Sequence, residues 1–358
     1  MHRESLKLAN LIVVKLGTGV LTDSRKQPDP EQMRQLVAQV AALRSAGKKV
    51  VLVTSGAVGA GMGALGFAKR PSDAAELQAC AAIGQSRLMT VYQQLFGEFD
   101  LKVAQVLLTH DDLQNHERHL NARNTLAKLL QLGVVPIINE NDVVSITELK
   151  FGDNDKLSAL VACLLPADLL VILTTVDGVI EHFGKADAKL LSVIERIDGA
   201  VEDMSHGTQS VTAVGGMITK IQAAKIVTRA GIPLVIASGK KSSVLADVLA
   251  GCDEGTLFLP QLKKLRGHKR WIAFFHHPRG TLFVDKGAKK AVTENGKSLL
   301  LPGVVRIEGE FHEADIVSIR DLDGNEFARG IVEFSARDIQ SRQLPRIEVI
   351  HRDDLVVL

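Results

Sequence analysis

The sequence predicts an α/β fold, a mostly parallel sheet with helices on both faces, followed by a small C-terminal β-rich domain. Three observations carry this expectation. Short aliphatic runs alternate with amphipathic stretches over the first 260 residues, the pattern of strands joined by covering helices. Those runs are continuously apolar, as strands buried on both faces require. After Leu259 the composition shifts: seven of the twelve phenylalanines lie beyond Leu257, and long helical stretches give way to short strands and glycine turns such as Leu322-Asp323-Gly324-Asn325.

Strands are expected at 11–14, 50–53, 103–108, 134–138, 169–173 and 234–236. The first long helix begins at Asp29-Pro30-Glu31, with proline early and an acid in its first turn, and stops at Gly47. Further helices are expected over 73–94, 122–132, 156–164 and 220–230, with Gly133 and Gly231 as C-cap glycines. The domains are read as 1–260, a basic solvated linker at 261–270, and 271–358.

A chain of 358 residues has room for one large and one smaller core. Apolar residues at 46% and charged residues at 23% exclude a disordered chain. A formal charge of +2 provides no global attraction to nucleic acid or an acidic membrane. Cys80, Cys163 and Cys252 are odd in number, far apart and set among aliphatic residues, so they are expected to be reduced core thiols. No run approaches the roughly 20 apolar residues of a membrane span, and the N-terminal apolar stretch is too short for a signal core. A cytoplasmic location is expected.

Four segments carry candidate chemistry. Lys15-Leu16-Gly17-Thr18-Gly19 follows the first strand, at the edge where open α/β sheets place ligands; exposed glycine amides and a lysine there suit phosphate oxygens. Taken alone, such a turn is more often only a turn. Thr54-Ser55-Gly56 opens a glycine-rich run containing Gly61, Gly63 and Gly66. No acidic residue follows at the distance a dinucleotide site needs, so those glycines are read as close-approach backbone. Ser55 lacks the preceding glycine of a nucleophile elbow and suits a ligand carboxylate instead. Asn139-Glu140-Asn141-Asp142 follows a strand and is itself followed by Gly152-Asp153-Asn154-Asp155. One of Asp153 and Asn154 is expected to cap the next helix, but that leaves most of the polar cluster unexplained. Gly215-Gly216-Met217-Ile218-Thr219-Lys220 leads into a helix and suits a polyphosphate; its bland reading is a loop ahead of a helix. No Walker A motif exists, because Ala291 stands where Gly296-Lys297-Ser298 would need a glycine. His116 and His119, and His276 with His277, lack partners at ligand spacing and are read as surface residues.

Together with Asn121-Ala122-Arg123, these segments resemble the amino-acid kinase family, and most closely its members acting on the side-chain carboxylate of glutamate. The segment from Lys269 to Asp354 resembles the PUA domain attached to many such kinases. The resemblance implies ATP-dependent phosphorylation of L-glutamate to L-glutamyl 5-phosphate, the first step of proline synthesis, with Mg²⁺ and with proline as feedback inhibitor. It also implies a homo-oligomer coupled functionally to a glutamyl-phosphate reductase. By position, Lys15, Lys220 and Asp155 match the catalytic residues, and Ser55, Asp142 and Asn154 the glutamate-binding ones. Lys15, Gly17, Thr18, Thr174, Thr175 and the stretch Val214, Gly215, Gly216, Met217, Ile218, Thr219, Lys220 match the nucleotide side. No metal ligand is assigned to the chain.

Gly19, Thr175-Val176, the stretch from Val179 to Phe183, and Ala213-Val214 depart from the family pattern on the nucleotide side. Weaker ATP binding beside an ordinary amino-acid site is therefore expected. Two other readings stay open: a relative acting on acetylglutamate, aspartate or a nucleoside monophosphate, and an RNA-binding PUA protein. The latter ranks low, since residues 266–358 hold 15 Lys+Arg against 14 Asp+Glu without interleaved aromatics.

Overall fold

The computed structural model describes residues 2–22, 28–144, 154–206, 216–261, 267–275, 278–342 and 347–358. The chain divides into two compact units, Met1–Lys264 and Leu265–Leu358.

The first unit runs β1 (Leu11–Leu16), α1 (Thr18–Leu21), α2 (Pro30–Ser45), β2 (Lys49–Val53), α3 (Ala57–Leu65), α4 (Ala74–Gly97), β3 (Val103–Leu108), α5 (His110–Gln114), α6 (His116–Gln131) and β4 (Val135–Glu140). It continues with α7 (Asn154–Leu164), β5 (Leu169–Thr174), the short β6 (Ile180–Glu181), β7 (Lys189–Leu190) and β8 (Val193–Ile194), then α8 (Gly199–His206), α9 (Met217–Arg229), β9 (Leu234–Ser238), α10 (Val244–Ala250) and β10 (Thr256–Phe258).

The main sheet has the order β3-β4-β2-β1-β5-β9-β10-β8. The six strands from β3 to β9 pair in parallel, and β10 runs antiparallel to β9. Parallel pairing puts the C-terminal ends of β1, β2, β4 and β5 along one edge, where open sheets bind ligands. Register confirms it: Lys15 lies opposite Val53 and Ile172, and Val53 opposite Ile138.

Local chemistry explains the helices. Asp29 accepts from the backbone N–H groups of Glu31 and Gln32, Pro30 sits in the first turn, and Met33, Leu36, Val37 and Val40 form one buried stripe. Each fully buried Leu or Val side chain in that stripe stabilises by roughly 1.5–3 kcal/mol relative to exposure. Gly133 and Gly231 take φ near +78° after α6 and α9, as C-cap glycines do.

Several elements differ from expectation. Residues 57–65 are a helix, so the glycine run serves packing inside α3: a Cβ on Gly61 would fall 1.8 Å from the Cys80 carbonyl oxygen, and one on Gly84 1.7 Å from that of Ala57. The helix expected from 122 starts at His116, because Asn115 accepts from the Arg118 N–H. β3 is the sheet edge and only half-buried, not covered on both faces. Cys80 and Cys163 are buried, but Cys252 is exposed in the turn after α10 and is not a core thiol. His119 is buried against the Leu113 carbonyl and is not a surface residue, whereas His116 is exposed. His276 and His277 lie outside the described residues.

In the second unit, α11 (Gly267–Phe274) is followed by β11 (Gly280–Val284), α12 (Lys286–Thr293), β12 (Leu299–Leu300), β13 (Val304–Glu308), β14 (Ile316–Arg320), β15 (Glu326–Ile331), α13 (Ala336–Ser341), β16 (Glu348–Ile350) and β17 (Leu355–Val357). Its sheet has the order β13-β11-β14-β15-β17 around a core that includes Leu282, Val317, Ile319, Ala328 and Val349. The last four residues of the stretch read as a linker are helical, in α11, and Arg270 there is buried. Phe258 belongs to β10 in the first unit, so the phenylalanine cluster is smaller than the count beyond Leu257 suggested. A cavity of about 860 Å³ in this unit is lined by Lys297, Ser298, Leu300, His351 and Arg352 among others.

Candidate active site

Lys15 ends the apolar run of β1 and is 2% exposed. A lysine that deep needs a paired anion, since an isolated buried ammonium costs several kcal/mol. Its Nζ lies 2.7 Å from Asp155 Oδ1, and Asp155 is fully buried. The other oxygen of the same carboxylate, Oδ2, takes Lys220 Nζ at 3.0 Å and the Thr219 hydroxyl at 2.8 Å. One aspartate thus spans two lysines brought from β1 and α9, and within this trio there is one more positive charge than negative.

The turn after β1 closes over this group. Gly17 N–H donates to the Leu173 carbonyl at 3.1 Å, tying the turn to the end of β5. A Cβ on Gly17 would stand 3.2 Å from that carbonyl and 3.7 Å from Lys15 Nζ, so glycine lets backbone approach the ammonium. Thr18 opens α1 and is exposed, as is Thr175; Thr174 is half-buried at the end of β5. A Cβ on Gly19 would fall 2.9 Å from the Thr175 methyl, so Gly19 lies against the residue that precedes Val176.

Asn154, one residue before Asp155, belongs to a second cluster. Its Nδ2 donates to the Thr54 carbonyl, to Ser55 Oγ at 3.1 Å and to Asn139 Oδ1 at 2.8 Å, and Asn139 Oδ1 also accepts the Glu140 N–H at 3.0 Å. Thr54, Ser55, Asn139 and Asn154 are all buried. Such a set of hydroxyl, amide and backbone groups suits a polar zwitterion. Asn154 is the first residue of α7, and its side chain bonds these groups across the sheet edge.

The structure therefore brings Lys15, Lys220, Asp155 and Thr219 into one cluster, with Gly17 beside it, and Ser55 with Asn154 into another. The two meet at the peptide joining Asn154 to Asp155. Asp142 lies in the turn two residues past β4 and is half-buried. Gly216, Met217 and Ile218 lead into or open α9, which starts at Met217 and not at Lys220. Val214, Gly215, Asp153 and Gly152 lie outside the described residues. Sequence reasoning assigned no role to Thr54, Asn139 or Tyr92, and it placed Thr219 on the nucleotide without seeing its bond to Asp155. The dense polar run that begins within the end of β4 was the available signal for Asn139; for Tyr92 there was none.

Comparison with known proteins identifies the family. The amino acid kinase family profile matches residues 10–238, and the PUA domain profile residues 280–351. Glutamate 5-kinases of Geobacter sulfurreducens and of Geobacter sp. strain M21 are 46% and 44% identical to this chain, with all of each chain covered. A carbamate kinase from Giardia lamblia bound to AMP-PNP superposes with a TM-score of 0.51 at 20% identity, over 71% of this chain and all of its own, which shows the shared fold.

Proposed function

Because the chain belongs to the amino acid kinase family, with relatives 44–46% identical along its whole length, we propose that it transfers the γ-phosphoryl of ATP to the side-chain carboxylate of L-glutamate. The product is L-glutamyl 5-phosphate, which opens proline synthesis. Residues 1–260 carry the chemistry, and 271–358 form the PUA domain.

The observation that carries this reading is the pair of buried lysines held on opposite oxygens of Asp155 at the ligand edge of the sheet. A glutamate side chain, with a pKa near 4.3, is ionised at neutral pH and needs no general base. One of its oxygens attacks the γ-phosphorus as the bond to the ADP oxygen breaks. Catalysis then consists of alignment and charge neutralisation. Lys15 faces the transferred phosphoryl, Lys220 stands on the nucleotide side, and Asp155 orients both. Ser55, Asn154 and Asp142 hold the amino acid, while Gly17, Thr18, Thr174, Thr175 and the residues from Val214 to Lys220 hold the nucleotide.

ATP would bring Mg²⁺ with it, and the ion would add to the charge neutralisation supplied by Lys15 and Lys220. Among the described residues, no three or more His, Cys, Asp or Glu side chains form a cluster able to hold a metal. No described helix is long and apolar enough to cross a membrane. A cytoplasmic location, the family's homo-oligomeric state, inhibition by proline and coupling to a glutamyl-phosphate reductase complete the reading. The weaker nucleotide grip expected from the departures on that side belongs to the same reading.

The test is transfer from MgATP with hydroxylamine present, so that acyl phosphate is trapped as a hydroxamate, comparing L-glutamate, N-acetylglutamate and L-aspartate. Signal with glutamate alone, lost in Lys15→Ala, is the expected result. Signal with another acid, or none with any, overturns the reading.

A further inference from the structure

The chain has one tyrosine, and it is fully buried on α4, away from both ligand clusters in sequence. Tyr92 Oη lies 2.8 Å from Thr54 Oγ1, and the Thr54 hydroxyl itself donates to the Ser55 carbonyl. That second bond uses the only proton Thr54 has, so the Tyr92 hydroxyl is the donor in the first. Burial pushes its ionisation upward, which keeps that proton in place. The carbonyl of Thr54 meanwhile accepts from Asn154 Nδ2, which also donates to Ser55 Oγ. A one-way chain therefore runs from α4 through Thr54 into the Thr54–Ser55 segment, the segment that supplies two of the three acceptors seen by Asn154.

Helix α4 also braces the start of α3. Gly84 lets α4 lie directly on the Ala57 carbonyl at the start of α3, and Gly61 lets α3 lie on Cys80 of α4. Gly56, with φ +99°, makes the intervening turn. Residues 54–57 are thus pinned to α4 at both ends, by a hydroxyl at Thr54 and by backbone contact at Ala57.

We propose that Tyr92 is a positioning residue for the acceptor-acid site: acting through Thr54, its hydroxyl sets where the Ser55 hydroxyl and the Asn154 amide meet the amino acid. This rests on reading Ser55 and Asn154 as glutamate-binding. The Tyr92 hydroxyl bonds Thr54, on the amino-acid side of the site, so its effect falls on one of the two ligands.

Tyr92→Phe deletes the oxygen and keeps the ring. The expected result is a rise in the glutamate KM of roughly 5- to 30-fold, the scale of one lost buried hydrogen bond, with the ATP KM and kcat changed less than about threefold. Thr54→Val should raise the glutamate KM similarly, and the double variant should be no worse than the more affected single one, since both break one chain. Thr54→Ser keeps the hydroxyl and should return the glutamate KM to near the parent value. A lowered thermal midpoint with the glutamate KM unchanged, or a parallel rise in both KM values, overturns the proposal. Ser55→Ala separates the two levels. If it leaves the glutamate KM alone, the reading of the pocket fails and this inference with it; if it raises that KM while Tyr92→Phe does not, only this inference fails.

Discussion

Replacing Asp155 by Asn tests the centre of the site most directly. The parent carboxylate holds Lys15 at 2.7 Å and Lys220 at 3.0 Å with all three side chains almost wholly buried. Asparagine keeps one acceptor oxygen and turns an N–H₂ toward the other lysine, so one contact survives as an ion–dipole bond and one becomes donor against donor. Breaking a buried pair costs about 3–5 kcal/mol; with one contact retained, the lower end, about 3 kcal/mol, is expected. At roughly 2–4 °C per kcal/mol for a large domain, the thermal midpoint of the nucleotide-free protein should fall by about 6–12 °C. Transfer should also slow, because both ammoniums lose their common anchor; a loss of at least about 100-fold corresponds to some 2.7 kcal/mol of barrier. ATP offers a substitute anion, so the stabilisation it produces should be larger in the variant than in the parent. Differential scanning fluorimetry with and without MgATP, alongside the hydroxamate assay, reads all three quantities. A midpoint within 2 °C of the parent and a rate within about threefold would show that Asp155 does not organise the lysines.

Gly84→Ala forces a Cβ onto the Ala57 carbonyl; overpacking of this kind costs about 1–3 kcal/mol, and the glutamate KM should rise with the shifted start of α3, whereas an unchanged KM would mean that α3 moves independently of Ser55. Arg3 donates to the carbonyls of Ser192, Cys252, Glu254 and Gly255, so Arg3→Ala should lower stability by about 2–3 kcal/mol, seen as an earlier urea midpoint, with the kinetics of transfer unaltered. Burial holds the Lys156 amine below its usual pKa. The unfolded chain then binds the extra proton between that lowered value and about 10.4, so stability rises with pH across this window, and the cost of the buried charge is fully present below it. Lys156→Met should therefore raise the thermal midpoint at pH 7, by a margin that shrinks toward pH 10; a margin independent of pH would refute the account.

Much of the fold was legible because doubly covered strands announce themselves. Runs such as 11–14 and 169–173 have no polar residue to confuse their period, and their ends fell within a few residues of β1 and β5. In the glycine run at 56–66 the close backbone approach was legible and holds at Gly61, but the helix was not, because glycine weakens a helix in isolation whereas tertiary contact between α3 and α4 requires it here. The half-buried state of β3 depends on its place at the edge, which no local pattern contains. In the site, the lysines and Asp155 stood out as motif residues, but their mutual distances come from a topology that brings residues 15, 155 and 220 together. The Tyr92 bond was invisible for the same reason: a tyrosine in an amphipathic helix reads as packing until the strand end beneath it is known.

Helix α7 begins with two residues that the proposed function gives to different ligands. Asn154 bonds Ser55 and Asp155 the lysines, and successive side chains on a helix diverge by about 100° around its axis. The lateral offset between acceptor and donor is thereby written into a single peptide unit, like two marks on a ruler. Neither mark moves without the other, since α7 is packed into the first unit with every side chain from Leu157 to Leu164 buried. A lineage adopting a different acid would have to re-cut the walls, at the turns after β2 and β4, and leave the ruler in place.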